Sequence, residues 1–464
     1  RACFSTYVRE RIQKAFEQHL GVTDSSFVSF FVPETVLVRI YLLFPVTQEL
    51  SVAVDNKRLE EIVNNITANW IDEFQNIVIH ETGVQKGSTL VKKYAGGFSD
   101  SYKVQYTPLQ ALRDVSVLES FSAPQELAVD LRAQDEGLQL KLFHSEEPIA
   151  LSDMIPILEN MGFRVLMERP YEISMRGKAP IWLQDFFLKL VLDVEVDFYQ
   201  AAPEFSLALR AIWSGEAEND RFNRLVIAAG LNWRAAALLR LYARYLKQLG
   251  ISYSQDFIAD TLVQHVATSA DLVNLFESLF DPSRVSEPSA SNRVEMLRES
   301  ILEGLNQVLD ISHDNVLRAY FELIEATQRT NFYQVTCGNQ TKPYMTVKLA
   351  TKQISRAPLP RPEREIFVYS PRFEGVHLRG GKVSRGGLRW SDRLEDYRTE
   401  VLGLVKAQQV KNAVIVPTGA KGGFVMKKVI QSDGRDLWAR EGESTYKLFI
   451  QALLDITDNY EAGT

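Results

Sequence analysis

Apolar positions fall into helical spacing as soon as the chain begins, with Val8, Ile12, Phe16 and Leu20 on one stripe. Two strands are read next, Phe27 to Val32 and Thr35 to Phe44, turning at Pro33-Glu34. A second helix opens near Asp55, a good N-cap, and carries Leu59, Ile62, Val63, Ile66 and Trp70 along one face. Helix, strand, strand, helix is a βαββαβ unit whose first strand would lie upstream of Arg1, a small ferredoxin-like module. The order returns with a strand at Leu127 to Leu131 or Leu138 to Phe143. A helix capped by Ser152 follows, with Met154, Ile157, Leu158 and Met161 on one stripe and Gly162 at its end. Strands Arg164 to Met167 and Tyr171 to Met175, a turn at Arg176-Gly177-Lys178 and the run Ile181-Trp182-Leu183 complete the second module.

From Pro203 the pattern is helical only, with Leu238, Leu241, Tyr242, Tyr245 and Leu249 forming one broad stripe. The run Trp213 to Asp220 and the step Asn232-Trp233-Arg234 read as helix caps and packing before they read as a binding site. Asp281 to Asn292, rich in Pro and Ser, reads as a loop, and one more helical segment spans Arg293 to about Ala326. The character changes again at Lys342, with strands at Tyr344 to Leu349 and Glu365 to Tyr369. The expected fold is therefore α+β and multidomain. Residues 1–85 are one ferredoxin-like module, 86–202 a linker and a second module, 203–340 a helical region and 341–464 the start of an α/β domain.

Length and composition narrow the function. A chain of 464 residues exceeds one hydrophobic core, and no apolar run reaches the ~20 residues that cross a bilayer. A net charge of -7 without a Lys/Arg run argues against nucleic acid as a partner. Cys3 and Cys337 have no CxxC partner and the six histidines no ligand spacing, so neither a disulfide framework nor a metal site is expected, and a reducing cytoplasm fits. The chain begins with Arg and shows no signal peptide, as an internal fragment of a larger protein would.

Chemistry concentrates between Arg379 and Phe424. Two basic turns with paired glycines, Arg385-Gly386-Gly387 and Lys421-Gly422-Gly423, flank Lys411, which ends a helix carrying Tyr397, Val401, Leu404 and Val405. Glycine lets backbone approach a ligand closely and take positive φ. Three cations around one space suit a ligand with two carboxylates and a proton to move. A strand at Val414 to Val416 would lead into the loop Pro417 to Gly423, setting Lys421 at a strand's carboxyl end. Phosphate is the rival ligand, but GAKGGF lacks P-loop spacing. His377 reads as structural, Asp392-Arg393 as a turn ion pair, and Glu60-Glu61 as a solvated face.

RGGLRWSDR, EVLGLVKAQQVKNAVIVPTGAKGGF and LLDITDN resemble the catalytic region of the large bacterial NAD-dependent glutamate dehydrogenases. ENMGFRVLMERPYEI, GEAENDRFNRLVIAAGLNWR and RTNFYQ resemble their regulatory and helical modules, which makes the two ferredoxin-like units ACT-like. The resemblance implies oxidative deamination of L-glutamate to 2-oxoglutarate and ammonium, hydride passing to NAD. Arg385 would hold the side-chain carboxylate, with Lys382 or Arg389 as alternatives, Lys411 the α-carboxylate, and Lys421 would be the general base. It further implies a homo-oligomer and an amino-acid effector on the ACT-like modules. No GxGxxG occurs before Thr464, so the Rossmann domain is expected outside this chain and the chain alone is expected not to turn over. A regulatory or assembly segment is the alternative function.

Overall fold

The computed structural model describes residues 6–22, 25–31, 38–44, 55–67, 70–120, 127–134, 137–145, 147–175, 179–381, 384–411, 419–428 and 434–457. Contacts divide the chain into two compact units: Arg1–Ala128 with Leu142–Pro148 and Arg169–Gln184, and Val129–Lys141 with Ile149–Glu168 and Asp185–Thr464.

The first unit contains α1 (Thr6–Leu20), β1 (Ser26–Phe31), β2 (Val38–Leu43), α2 (Asn56–Thr67), α3 (Trp70–Thr82), α4 (Val84–Tyr94), α5 (Asp100–Gln105) and α6 (Pro108–Glu119). The expected order helix, strand, strand, helix is present, and β1 and β2 pair antiparallel. Asp55 caps α2, its Oδ1 accepting the Lys57 N–H at 3.0 Å. Trp70 does not extend the α2 stripe: it opens α3, stacks on Phe74 and donates from its indole N–H to the Tyr106 carbonyl at 2.8 Å. The stretch after residue 86, expected as linker, is helical in α4 to α6. Tyr94, Tyr102 and Val115 are fully buried there, packed in one cluster with Phe74 and Val78 of α3. The turn at Pro33-Glu34 lies outside the described residues.

Next come β3 (Ala128–Gln134), β4 (Gly137–Ser145), α7 (Leu151–Asn160), β5 (Phe163–Ile173) and β6 (Ile181–Leu190), in a sheet of order β3-β4-β6-β5. Both candidate first strands form. Ala150, not Ser152, is the N-cap of α7, because Ser152 lies inside the first turn. Met154, Leu158 and Met161 are fully buried, and Gly162 leaves the helix at φ 92°. The two strands expected around Pro170 are one, β5, because an edge strand tolerates a residue that cannot donate to the ladder. The turn Arg176 to Lys178 lies outside the described residues.

The second unit continues with α8 (Phe198–Trp213), α9 (Arg224–Ala228), α10 (Trp233–Gln248), α11 (Gln255–Gln264), α12 (Val266–Phe280), α13 (Pro282–Val285), α14 (Ala290–Asn306) and α15 (Ile311–Ala326). The loop expected at 281–292 therefore holds a short helix, capped by Asp281, and the segment expected at 293–326 is two helices. The α10 stripe Leu238, Leu241, Tyr242 and Tyr245 is buried as expected.

A six-stranded sheet closes the unit: β7 (Thr327–Thr330), β8 (Met345–Leu349), β9 (Arg364–Tyr369), β10 (Phe373–Arg379), β11 (Arg385–Ser391), α16 (Tyr397–Lys411), β12 (Gly419–Met426) and α17 (Arg435–Asp455). The order is β11-β12-β10-β9-β8-β7, so the sheet begins upstream of the change read at Lys342. Only β11 and β12 are parallel among the described pairs, and α16 is their crossover. Tyr245 of α10 packs on Phe367 of β9 with ring centroids 5.3 Å apart. Beside them Arg398 of α16 grips Glu365 of β9 through Nε at 2.6 Å and a terminal nitrogen at 2.8 Å, both side chains fully buried.

Candidate functional site

The two glycine-paired segments are strands, not turns. Arg385-Gly386-Gly387 opens β11 and Lys421-Gly422-Gly423 lies inside β12, with Gly387 opposite Lys421 and Leu388 opposite Gly422. None of the four glycines has positive φ. Space explains three of them instead. A Cβ on Gly386 would lie 1.2 Å from the Ala420 carbonyl oxygen, one on Gly422 would lie 2.4 Å from Leu388, and one on Gly423 would lie 2.6 Å from Val401 of α16. Gly387 alone opens onto free space. The loop expected at Pro417 to Gly423 is thus a strand from Gly419 onward, held because small residues let it sit close under α16. Val414 to Val416 lie outside the described residues.

Strand alternation then shows which side chains share a face. A Cβ on Gly419 or Gly423 would strike Gln408 or Val401, so the row Gly419, Lys421, Gly423 faces α16. Arg389 and Ser391 on β11 both reach Glu400 of α16, at 2.5 Å and 2.6 Å. Arg385, Gly387 and Lys421 therefore lie on the α16 side of neighbouring strands. Gln408 donates to the Arg385 carbonyl at 3.0 Å, which brings the last turn of α16, ending at Lys411, to the same end of the pair. The cations are thus gathered at the amino ends of β11 and β12, not at the carboxyl ends that the sequence suggested. Of the Lys411 side chain nothing is described, and Lys382 lies outside the described residues. Arg385 is exposed, whereas Arg389 is paired with Glu400. Arg393 pairs with Asp396, not Asp392, its Nε 2.9 Å from Oδ1, because the turn into α16 brings Asp396 round to it.

His377 of β10 stands opposite Gly422, half-buried, with no hydrogen-bond partner for Nδ1. Burial, helped by the Arg379 charge, pushes its pKa down to about 4. An unfolded histidine takes up its proton near pH ~6.5, so this depressed value makes stability fall as pH drops from about 6.5 towards 4. His377→Gln should remove this loss. Between pH 7.5 and 4.5 the wild-type chain should lose about 2–3 kcal/mol more in urea unfolding than the variant, and equal losses would refute the assignment.

Sequence reasoning missed a buried charge network at the other end of β12. Lys427 Nζ lies 2.8 Å from Glu218 and 3.1 Å from the fully buried Glu374, which Arg244 also meets at 2.6 Å. Burial would raise the Glu218 carboxyl, but Lys427 and Arg240 outweigh it and hold it below the usual range. Arg244 and Glu374 are 130 residues apart and Lys427 and Glu374 more than 50, so no local motif announces them. The run Trp213 to Asp220 largely packs, as expected: Asp220 caps the turn at Arg221 and takes two bonds from Arg240. Its residues 214–217 also line a cavity. Among the described residues no cluster could hold a metal, and no helix is long and apolar enough to cross a membrane.

The βαβ pair of β11, α16 and β12 thus carries two cations beside glycines on its helix face. Models of glutamate dehydrogenase domains match along the chain: the ACT2 domain at 1–71, helical motif 2 at 78–121, the ACT3 domain at 125–201, helical motif 3 at 217–282 and the catalytic domain of bacterial NAD-glutamate dehydrogenase at 300–464. NAD-specific glutamate dehydrogenases of Halomonas elongata and Pseudomonas aeruginosa are 45% and 43% identical over the whole chain, which spans 29% of each relative's length. That of Mycobacterium tuberculosis is 40% identical over 88% of the chain, which there spans 26% of its length. The chain belongs to this family.

Proposed function

We propose that this chain contributes the dicarboxylate-binding part of an enzyme that converts L-glutamate to 2-oxoglutarate and ammonium with hydride transfer to NAD. The observation that carries the reading is the common face of Arg385, Gly387 and Lys421, with α16 delivering Lys411 to the same end. Arg385 anchors the side-chain carboxylate through its planar fork. Lys411 takes the α-carboxylate. Lys421 is the base that removes a proton from the water attacking the iminium carbon, and Gly387 leaves room for the substrate over β11. NAD supplies the hydride acceptor. No GxGxxG dinucleotide fingerprint occurs in this sequence.

The segments matching ACT domains have the parts of ferredoxin-like modules: β4, α7, β5, β6 and α8 follow one another, and β3 supports the reading by filling the sheet edge next to β4. We extend the division at 1–85, 86–202, 203–340 and 341–464 with a helical module over α3 to α6. An amino-acid effector on these modules, a homo-oligomer and a cytoplasmic setting belong to the same reading.

Calorimetric titration of 2-oxoglutarate into the purified chain tests the site. The wild-type chain should bind, and the Lys411→Ala/Lys421→Ala double variant should bind at least about tenfold more weakly, as loss of charged hydrogen bonds predicts. Equal binding by both proteins, or none by the wild type, would refute a preformed dicarboxylate site here.

A further inference from the structure

A second concave site lies at the opposite end of β12. A cavity of ≈ 530 Å³ opens between the last turn of α8, the first turn of α10, the segment leading into β8 and the turn between β9 and β10. That volume is in the usual range of small-molecule sites, about 300–1,000 Å³. Since Phe373 pairs with Met426 and Arg379 with Ala420, the β9–β10 turn sits at the Met426 end of β12, away from Lys421. The cavity is thus separate from the candidate glutamate site, and its ligand chemistry is independent of the proposed function.

Its walls are aromatic and sulfur-bearing: Trp233, Tyr344, Met345 and Tyr369 line it. The polar ends of those tyrosines are engaged elsewhere, Tyr369 donating to Glu218 at 2.6 Å and Tyr344 bonded to Asp455. Two of the cations in the wall are neutralised as well. Arg372 holds Glu441 at 2.6 Å and 2.8 Å, and Lys342 holds Asp455. Arg234 differs. It packs over Trp233 and Phe332, 5.9 Å and 4.7 Å from the ring centroids, and its one hydrogen bond among the described residues goes to the neutral Phe332 carbonyl at 2.6 Å. Burial presses its pKa down and no carboxylate counters that. Arg234 thus lines the cavity beside Trp233 with no acid partner among the described residues, and a guanidinium so placed suits a single anionic group. The one acid on the rim, Glu216, is exposed and accepts from Ser214 at 3.1 Å.

We propose that this cavity binds a small monocarboxylate with an apolar, ring-sized body, its carboxylate on Arg234 and its body against Trp233 and Tyr344. Among the described lining residues Arg234 is the one cation without an acid partner, which suits a ligand with one carboxylate rather than two.

The test titrates 3-phenylpropionate into the purified 464-residue chain by calorimetry, beside propionate, 3-phenylpropanol and glutarate. Phenylpropionate should bind with Kd below about 1 mM, and the other three at least about tenfold more weakly. Arg234→Gln should weaken phenylpropionate about tenfold or more and leave phenylpropanol unchanged, which a merely unfolded variant could not do. Lys421→Ala should leave phenylpropionate binding intact. Absence of saturable binding by the wild type, glutarate binding as tightly as phenylpropionate, or loss of binding in Lys421→Ala would each overturn the proposal.

Discussion

Glu365→Leu should destabilise the second unit by about 3–5 kcal/mol, because it strands the Arg398 guanidinium in a place without water. Both side chains are fully buried, and the carboxylate meets Nε and a terminal nitrogen of Arg398 at 2.6 Å and 2.8 Å. Arg398 also ties α16 to α10, its backbone N–H donating to Gln248 at 3.1 Å. Bringing two charges out of water costs nearly as much as their attraction returns, so the pair as a whole contributes little. Removing one member is what costs. The double variant Glu365→Leu/Arg398→Leu should therefore be much closer to wild type than the sum of the two single variants. Urea unfolding followed by tryptophan fluorescence measures all four proteins. Single-variant losses below about 1 kcal/mol would mean that water reaches the pair and that α16 packs only loosely on β9.

Two adjacent glycines should behave oppositely. Gly386→Ala puts a methyl carbon 1.2 Å from the Ala420 carbonyl oxygen, so β11 must leave β12 or the chain must not fold. A cost at the top of the roughly 1–3 kcal/mol overpacking range, or beyond it, is expected. Gly387→Ala meets nothing, and stability should change by no more than about 0.5 kcal/mol. If the open space at Gly387 is where substrate lies, that variant should still bind 2-oxoglutarate more weakly by about tenfold, since a methyl group would occupy the approach. Calorimetry and urea unfolding on the same preparations separate the two effects. Unchanged binding by Gly387→Ala would move the ligand off the α16 face.

These glycines also mark the limit of what local sequence can say. A paired glycine beside a cation reads as a turn because turns are where glycine is commonest. Glycine is equally the residue of a strand that another backbone or a helix approaches closely, and only the partner decides. Here the partners are Ala420, Leu388 and Val401, none of which the glycines themselves reveal. Pro170 misleads in the same way: it would end a central strand, but β5 is an edge. Where the signal is local, sequence and structure agree. Asp55 caps its helix, the α10 stripe is buried, and β8 and β9 form where Val and Ile gather. The helices α3 to α6 carry one clear local signal absent from the sequence reading, the capping box of Thr107 and Gln110 around Pro108. The Lys427 network carries none, since Glu218 and Glu374 reach it only through the fold.

Among the described pairings β11 has one neighbour, β12, and so presents a row of open backbone groups along its far side. Such a margin invites a strand from another molecule unless something repels it. Arg385 and Arg389 are exposed residues of that edge strand, Arg389 paired with Glu400 of α16. A strand docking there would have to accommodate the Arg385 charge beside it, and charges on edge strands discourage such pairing.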